Sequence, residues 1–185
     1  MNKKTCGPQP LLYPMPAVLV GVTVEGKANF MTAAWCGITA YKPPSLMIGI
    51  NKERYTLQGI KPNGAFSVNV PSVEQVKAVD YCGIYSGAKK DKSRVFKIFH
   101  GTLKAAPLVE ECPVNLECRA KHIINMESHI VVLGEIMETY VSESCLTNGK
   151  ADTKKIDPLI FSFPDGQYWR MGEAVGRAFQ VGKEK

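Results

Sequence analysis

The sequence lacks the runs and spacings that mark several large protein classes. No apolar stretch reaches the roughly 20 residues of a membrane-spanning helix. No G-x-G-x-x-G and no G-x-x-x-x-G-K-[ST] occurs, which removes the usual dinucleotide and P-loop signatures. The six cysteines, Cys6, Cys36, Cys82, Cys112, Cys118 and Cys145, contain no C-x-x-C pair, and five residues separate the closest two. The three histidines, His100, His122 and His129, form no H-x-x-x-H pattern. No metal site is therefore expected. Internal repeats and low-complexity segments are missing as well.

Other absences concern the ends and the charge. Lys3 and Lys4 precede an apolar stretch from Leu11 to Val24, which loosely resembles a signal peptide. Pro14 and Pro16 interrupt it and no small-residue cleavage site follows, so secretion is not expected. At 185 residues and 45% hydrophobic content, the chain has core enough to fold without disulfide staples. Reduced thiols in the cytoplasm are the expectation. With 23 basic and 17 acidic residues the net charge is +6. That balance permits anionic ligands. The lysines are dispersed and most aromatics alternate into core positions, so neither nucleic acid nor membrane is expected as a partner. The reading is one domain over 1–185, with a short arm at 1–11 and a tail at 182–185.

What is present is mostly strand. Val18, Val20, Val22 and Val24 recur at period two and share one strand face. Glu25-Gly26-Lys27 reads as a turn, with a returning strand over 29–37. Leu46 to Ile50, bounded by Pro43-Pro44, and Ala65 to Val70 read as buried strands. Val114, Leu116, Cys118 and Ala120 alternate with Asn115, Glu117, Arg119 and Lys121, the pattern of a half-buried antiparallel strand. Ile130 to Val141 follows as a long apolar strand. Asp165-Gly166 turns Leu159–Phe163 into Tyr168–Met171. Helices are few. Ser72 and Gln75 form a capping box for one. A shorter one runs from Thr56 to Ile60 and stops before Pro62. Residues 86–98 are open to another, and 142–157 read as a polar loop. Strands without regular intervening helices argue against a doubly wound sheet. The fold class is mainly β: an antiparallel barrel with a few peripheral helices.

Three stretches carry candidate chemistry. Thr32, Ala33 and Ala34 are small enough to let a flat ligand approach their backbone, or to pack against a neighbouring element. Arg54 and Thr56 lie where a strand gives way to a helix. They read either as a phosphate clamp or as a surface arginine beside an N-cap. Lys89-Lys90-Asp91-Lys92-Ser93-Arg94 is a basic run that reads as a solvated face, unless it faces the same anion. No Ser–His–Asp or paired-carboxylate constellation is evident.

The order Asn29-x-Met31-Thr32-Ala33-Ala34-Trp35, then Lys42-Pro43-Pro44, then Ile50-Asn51-x-x-Arg54-x-Thr56 resembles the flavin reductase-like family of FMN-binding split barrels, and within it the flavoredoxin type. The resemblance continues through Phe66-Ser67-Val68-Asn69, Ser86-Gly87 with Asp91-Lys92, Ser128-His129 with Gly134-Glu135, and Tyr168-Trp169-Arg170-Met171-Gly172. It spans about residues 12 to 182. One departure stands out: Ser93 follows Asp91-Lys92 where the family often has Phe, with Phe96 nearby.

The resemblance implies an antiparallel split β-barrel that binds FMN. Asn29 and Met31, Thr32, Ala33, Ala34 and Trp35 would line the ring and ribityl chain. Asn51, Arg54 and Thr56 would hold the ribityl–phosphate end, Ser86 and Lys92 would assist at the phosphate, and Phe163 would pack on the flavin. It implies hydride transfer from NAD(P)H to flavin N5, and onward transfer to free flavin or a redox protein, with no catalytic side chain required. Two alternatives stand beside that: an FMN-carrying electron-transfer protein with little NAD(P)H activity, and a non-enzymatic FMN-binding module. A homodimer is implied too. Cys36 and Cys82 fall near the implied flavin, and His129, at the start of an apolar strand, is the one histidine singled out, each with a plain structural role as the alternative reading.

Overall fold

The computed structural model describes residues 1–183. Glu184 and Lys185, the end of the expected tail, lie outside the described residues. The strands in chain order are β1 (Met15–Pro16), β2 (Val18–Val24), β3 (Lys27–Ala33), β4 (Cys36–Tyr41), β5 (Pro44–Asn51), β6 (Ala65–Val70), β7 (Ile98–Phe99), β8 (Leu108–Val109), β9 (Val114–Asn125), β10 (His129–Val141), β11 (Leu146–Thr147), β12 (Lys150–Ala151), β13 (Leu159–Ser162) and β14 (Gln167–Arg170). The helices are α1 (Leu57–Asn63), α2 (Val76–Ile84) and α3 (Thr153–Ile156). None of them is long and apolar enough to cross a membrane.

Seven strands form one antiparallel sheet in the order β3-β2-β6-β9-β10-β5-β4. Its two outer strands, β3 and β4, are consecutive in the chain and joined only by Ala34 and Trp35. From Ala33 to Cys36 is three Cα steps, a reach of at most about 11 Å. The sheet must therefore curl until its edges meet, which makes it a barrel with a seam between β3 and β4. The expected single strand over 29–37 is thus two strands. The break lies where Trp35 O accepts from Gly49 N (2.7 Å) and Cys36 N donates to Ala34 O (2.9 Å).

Two bulges help the curl. The register of β9 against β10 slips between Leu133 and Gly134 and again between Ile136 and Glu138. A bulge bends a strand pair and shifts which residues face inward. Hence Cys118 and Val132 both point into the barrel although the register slips between them. The barrel is filled by Val18, Val20, Val22 and Val24 with Met31, Ile48, Ile50, Phe66 and Val132. The opposite face of β2 is buried too. Ala17 and Leu19 join Phe30, Val79, Cys82, Phe96 and Leu159 in a second core beneath α2 and the small sheet β1-β13-β14.

The polar face of β9 departs from its expected exposure. Asn115 and Glu117 are buried because the segment before β9 folds over them. Glu117 accepts N–H bonds from Leu103 (2.7 Å) and Thr102 (3.2 Å). Asn69 on β6 donates to Leu19 O (3.0 Å) and Ser67 Oγ (2.9 Å), and accepts from Val109 N (3.0 Å) and the Asn115 amide (2.9 Å). Alternation finds such a strand but cannot tell solvent from a loop that supplies hydrogen-bond partners.

Smaller departures have local causes. Helix α1 starts after Thr56 and includes Pro62, its last turn closed by the Gly64 N–H on Ile60 O (2.9 Å) and by Asn63 on Thr23 O (2.7 Å). Residues 86–98 hold no helix. Lys89 and Lys90 both donate their N–H to Ser86 O, which makes a single turn. The expected loop at 142–157 contains the β11–β12 ribbon, turned by Asn148-Gly149 at positive φ, and α3.

Asn69→Ala should lower folding stability by about 2–4 kcal/mol, because it strands the Val109 N–H in the interior and takes one of two partners from the Asn115 amide. Chemical denaturation measures this. A loss below about 1 kcal/mol would show that the network is not a stabilising element.

Candidate functional site

The seam opens into a cavity of about 260 Å³. One wall is the end of β3 and the link, Met31 to Trp35. Gly49, Ile50 and Asn51 from the end of β5, with Arg54 beyond them, form a second wall. The small sheet closes the third with Met15, Ala17, Phe161, Phe163 and Tyr168. Gly83, at the end of α2, and His129, at the start of β10, complete the lining. The walls are mostly apolar and rich in aromatic and small residues, as expected for a flat organic ligand.

The small-residue stretch packs against neighbouring elements and also lines the cavity. Thr32 turns away from the barrel and donates its hydroxyl to Val79 O, tying β3 to α2. Ala33 is packed in the barrel core yet still lines the cavity. Trp35, 42% exposed, lies against Gly49, where a Cβ would come within 3.3 Å of the Trp35 Cβ. Its ring meets His129 edge-on at 4.8 Å between centroids and Phe163 at 6.5 Å. The His129 Nδ1 is 2.8 Å from the Ser128 hydroxyl, which fixes the ring at the cavity mouth.

Cations gather at one end. Arg54 Nη1 donates to Gly83 O (3.0 Å), and Lys92 Nζ donates to Tyr85 O (2.8 Å) and Cys82 O (3.3 Å). Both hold the C-terminal end of α2, where carbonyl groups carry partial negative charge. Lys92 is only 3% exposed, and no carboxylate lies within ion-pair distance of it among the described residues. Burial holds its ammonium below the ordinary lysine value. The Cys82 thiol opposes that shift, and the Arg54 charge reinforces it. Two neighbouring cations without a counter-ion are a site that an anion would stabilise.

Asn29 lies behind that end, in a different cleft from the apolar cavity. Its amide donates to Thr56 Oγ1 (3.0 Å), so Thr56 supports Asn29 rather than capping α1. Asn29 is 4% exposed, and its Oδ1 has no hydrogen-bond partner. A Cβ at Gly87 would overlap that oxygen, so only glycine fits there. A buried acceptor without a donor is costly unless a ligand supplies one. The sugar hydroxyls of a ribityl phosphate are such donors, and Arg54 and Lys92 suit its phosphate. The residues present therefore fit FMN.

The structure brings eight of the expected residues into the apolar cavity: Met31, Thr32, Ala33, Ala34, Trp35, Asn51, Arg54 and Phe163. Asn29 and Lys92 line the second cleft. Thr56 is buried behind Asn29, and the Ser86 hydroxyl accepts the Ala88 N–H (3.3 Å). Sequence reasoning left out Met15, Ala17, Gly49, Gly83, Phe161 and Tyr168. Only Gly49, a glycine within a buried strand, carried a usable signal. Burial pushes the Cys36 thiol up to about 12 and the Cys82 thiol up to about 11, Lys92 partly opposing the latter. Neither is a thiolate near neutral pH, which favours the packing role for both.

A seamed antiparallel barrel with an apolar cavity and a cationic end defines a class, and the chain belongs to it: residues 11–165 match the flavin reductase-like domain family. The fold is that family's split barrel. The flavoredoxin of Methanosarcina acetivorans is 44% identical, with a TM-score of 0.94 over 98% of each chain. That of Desulfovibrio vulgaris (Miyazaki F) is 39% identical, with a TM-score of 0.91 over 98% of this chain and 100% of its own. A more distant relative, the FMN reductase (NADH) RutF of Stutzerimonas stutzeri, is 24% identical over 121 residues, 65% of this chain and 67% of its own.

Tyr168 donates to Asp80 Oδ1 (3.1 Å) and ties the small sheet to α2. Burial, then the Asp80 carboxylate, pushes its phenol from 10.0 up to about 12. A raised phenol favours the fold below its ordinary value and loses that contribution as pH climbs toward the folded value. Tyr168→Phe should therefore be less stable than wild type by about 1 kcal/mol near neutral pH. The gap in urea midpoint should narrow between about pH 10 and about pH 12. A gap that stays constant across that range would refute the assignment.

Proposed function

We propose that this protein binds FMN across the barrel seam and works as an NAD(P)H-dependent oxidoreductase that passes electrons to free flavin or a redox protein. The observation that carries the reading is the cation pair, Arg54 and Lys92, held beside an apolar cavity by the end of α2. When bound, FMN supplies the hydride-accepting chemistry at its N5. The chain supplies position and environment. Met31 to Ala34 offer backbone groups at the ring edge, while Trp35 and Phe163 offer aromatic faces. Asn51, Arg54 and Thr56 serve the ribityl–phosphate end, with Ser86 and Lys92. Asn29 Oδ1 accepts a ribityl hydroxyl. No side chain is assigned a catalytic role.

Likeness to two flavoredoxins favours a second reading, an FMN-carrying electron-transfer protein with little nicotinamide activity. Anaerobic addition of NADH or NADPH separates the two. Rapid bleaching of the flavin bands supports the oxidoreductase, and an unchanged spectrum supports the carrier.

A homodimer is part of the proposal. Ile38 (71% exposed) and Tyr41 (86%) on the edge strand β4, with Ile123, Ile124 and Met126 at the β9–β10 tip, leave apolar surface uncovered. Such surface on a sheet edge calls for a partner, and sedimentation showing a monomer at working concentration would count against it. The six free thiols suit a reducing cytoplasm.

Arg54→Ala and Lys92→Met should each weaken FMN about tenfold or more, while riboflavin, which lacks the phosphate, changes less than about twofold. Equal losses for both ligands would place the phosphate elsewhere. Protein that stays colourless after FMN addition and desalting, and leaves FMN fluorescence unquenched, would refute the flavin site.

A further inference from the structure

We infer that the small sheet carries a second binding site, on the face turned away from the barrel seam, for a small organic cation of the alkylammonium class. Strand pairing assigns the two faces. Met15, Phe161 and Tyr168 lie side by side across β1, β13 and β14, and all three wall the cavity at the seam. Pro16, Ile160 and Trp169 lie side by side on the opposite face. There Ile160 and Trp169, with Tyr13, Pro14 and Asp165, line a cleft of about 350 Å³. The site is independent of the flavin reading and stands or falls without it.

The cleft has a definite chemistry. Tyr13 and Trp169 are 53% and 52% exposed, so two large aromatic side chains stay open to solvent in one place. The indole is held fast. Its Nε1 donates to Ser162 Oγ at 2.7 Å, and the same hydroxyl donates to Asp165 Oδ1 at 2.6 Å. Ser162 is buried, so this relay pins ring and carboxylate as one unit. The indole has a single donor and it is spent, which leaves only its π surface for a ligand. Asp165 has no lysine or arginine within ion-pair distance among the described residues. An anion would meet that carboxylate unfavourably, and a neutral apolar group would strip water from it without compensation. A small metal ion would find one carboxylate and too few oxygen ligands. A cation wrapped in methyl or methylene groups suits all the walls: its charge faces Asp165, and its shell lies on the aromatic rings.

The test titrates the purified protein with choline and with the neutral tert-butyl analogue of choline, in which carbon replaces the nitrogen. The reporter is an indole N–H resonance followed by NMR. Of the two tryptophans, Trp169 is identified by the signal lost in Trp169→Phe. Choline should move that resonance saturably and bind about tenfold more tightly than the neutral analogue. Asp165→Asn keeps an acceptor for the Ser162 hydroxyl while removing the charge. It should weaken choline about fivefold and change the neutral analogue less than about twofold. Equal affinity for the two ligands in wild type would make the cleft merely apolar and overturn the cation site. So would a Trp169 resonance unmoved by choline up to about 20 mM, or an Asp165→Asn protein that binds choline as well as wild type.

Discussion

A two-residue link governs this molecule. Ala34 and Trp35 connect strands that lie at opposite ends of a seven-strand sheet. That connection is possible only if the sheet closes, and closure through so short a link leaves β3 and β4 unpaired with each other. The cavity is the space that results. Its walls are strand ends, a link, a small sheet and a helix terminus, so they present backbone, small side chains and aromatic rings rather than a set of reactive groups. A ligand that brings its own chemistry suits such a place.

The surrounding layers keep the link in position. β2 is buried on both faces, its valines in the barrel and Leu19 in the second core beneath α2. The Thr32 hydroxyl and the Tyr168–Asp80 bond fasten α2 to β3 and to the small sheet. On the far side, Asn69, Asn115 and Glu117 bind the backbone of the covering segment. These polar groups impose one register where apolar packing alone would tolerate several. The cavity is therefore bounded by elements that have little freedom to shift relative to one another.

Local pattern revealed much of this, and long-range closure hid the rest. The period-two valines of β2, the apolar run of β5, the Ala65–Val70 strand and the Ser72/Gln75 capping box are all where side-chain chemistry places them. The break at Ala34–Trp35 was not legible, because it arises from pairing between Trp35 and Gly49, which are far apart in sequence. The burial of Glu117 was illegible for the same reason. The site was partly legible through the ordered series from Asn29 to Thr56, whose members are close in the chain. Phe161 and Tyr168 come from a distant hairpin, and nothing in their own neighbourhood marks them as cavity walls. Thr56 shows the limit of local reading: its place before a helix suggests a cap, but its hydroxyl holds Asn29.

The grip of Arg54 and Lys92 on the last carbonyls of α2 sets both cations in place before any ligand arrives. Arg54 gives one of its five N–H groups to those carbonyls and Lys92 two of its three, so each keeps a donor in hand. Charge held in advance in this way spares an anion much of the cost of ordering long side chains. The final turn of α2 is therefore the template for preorganisation at this end of the cavity.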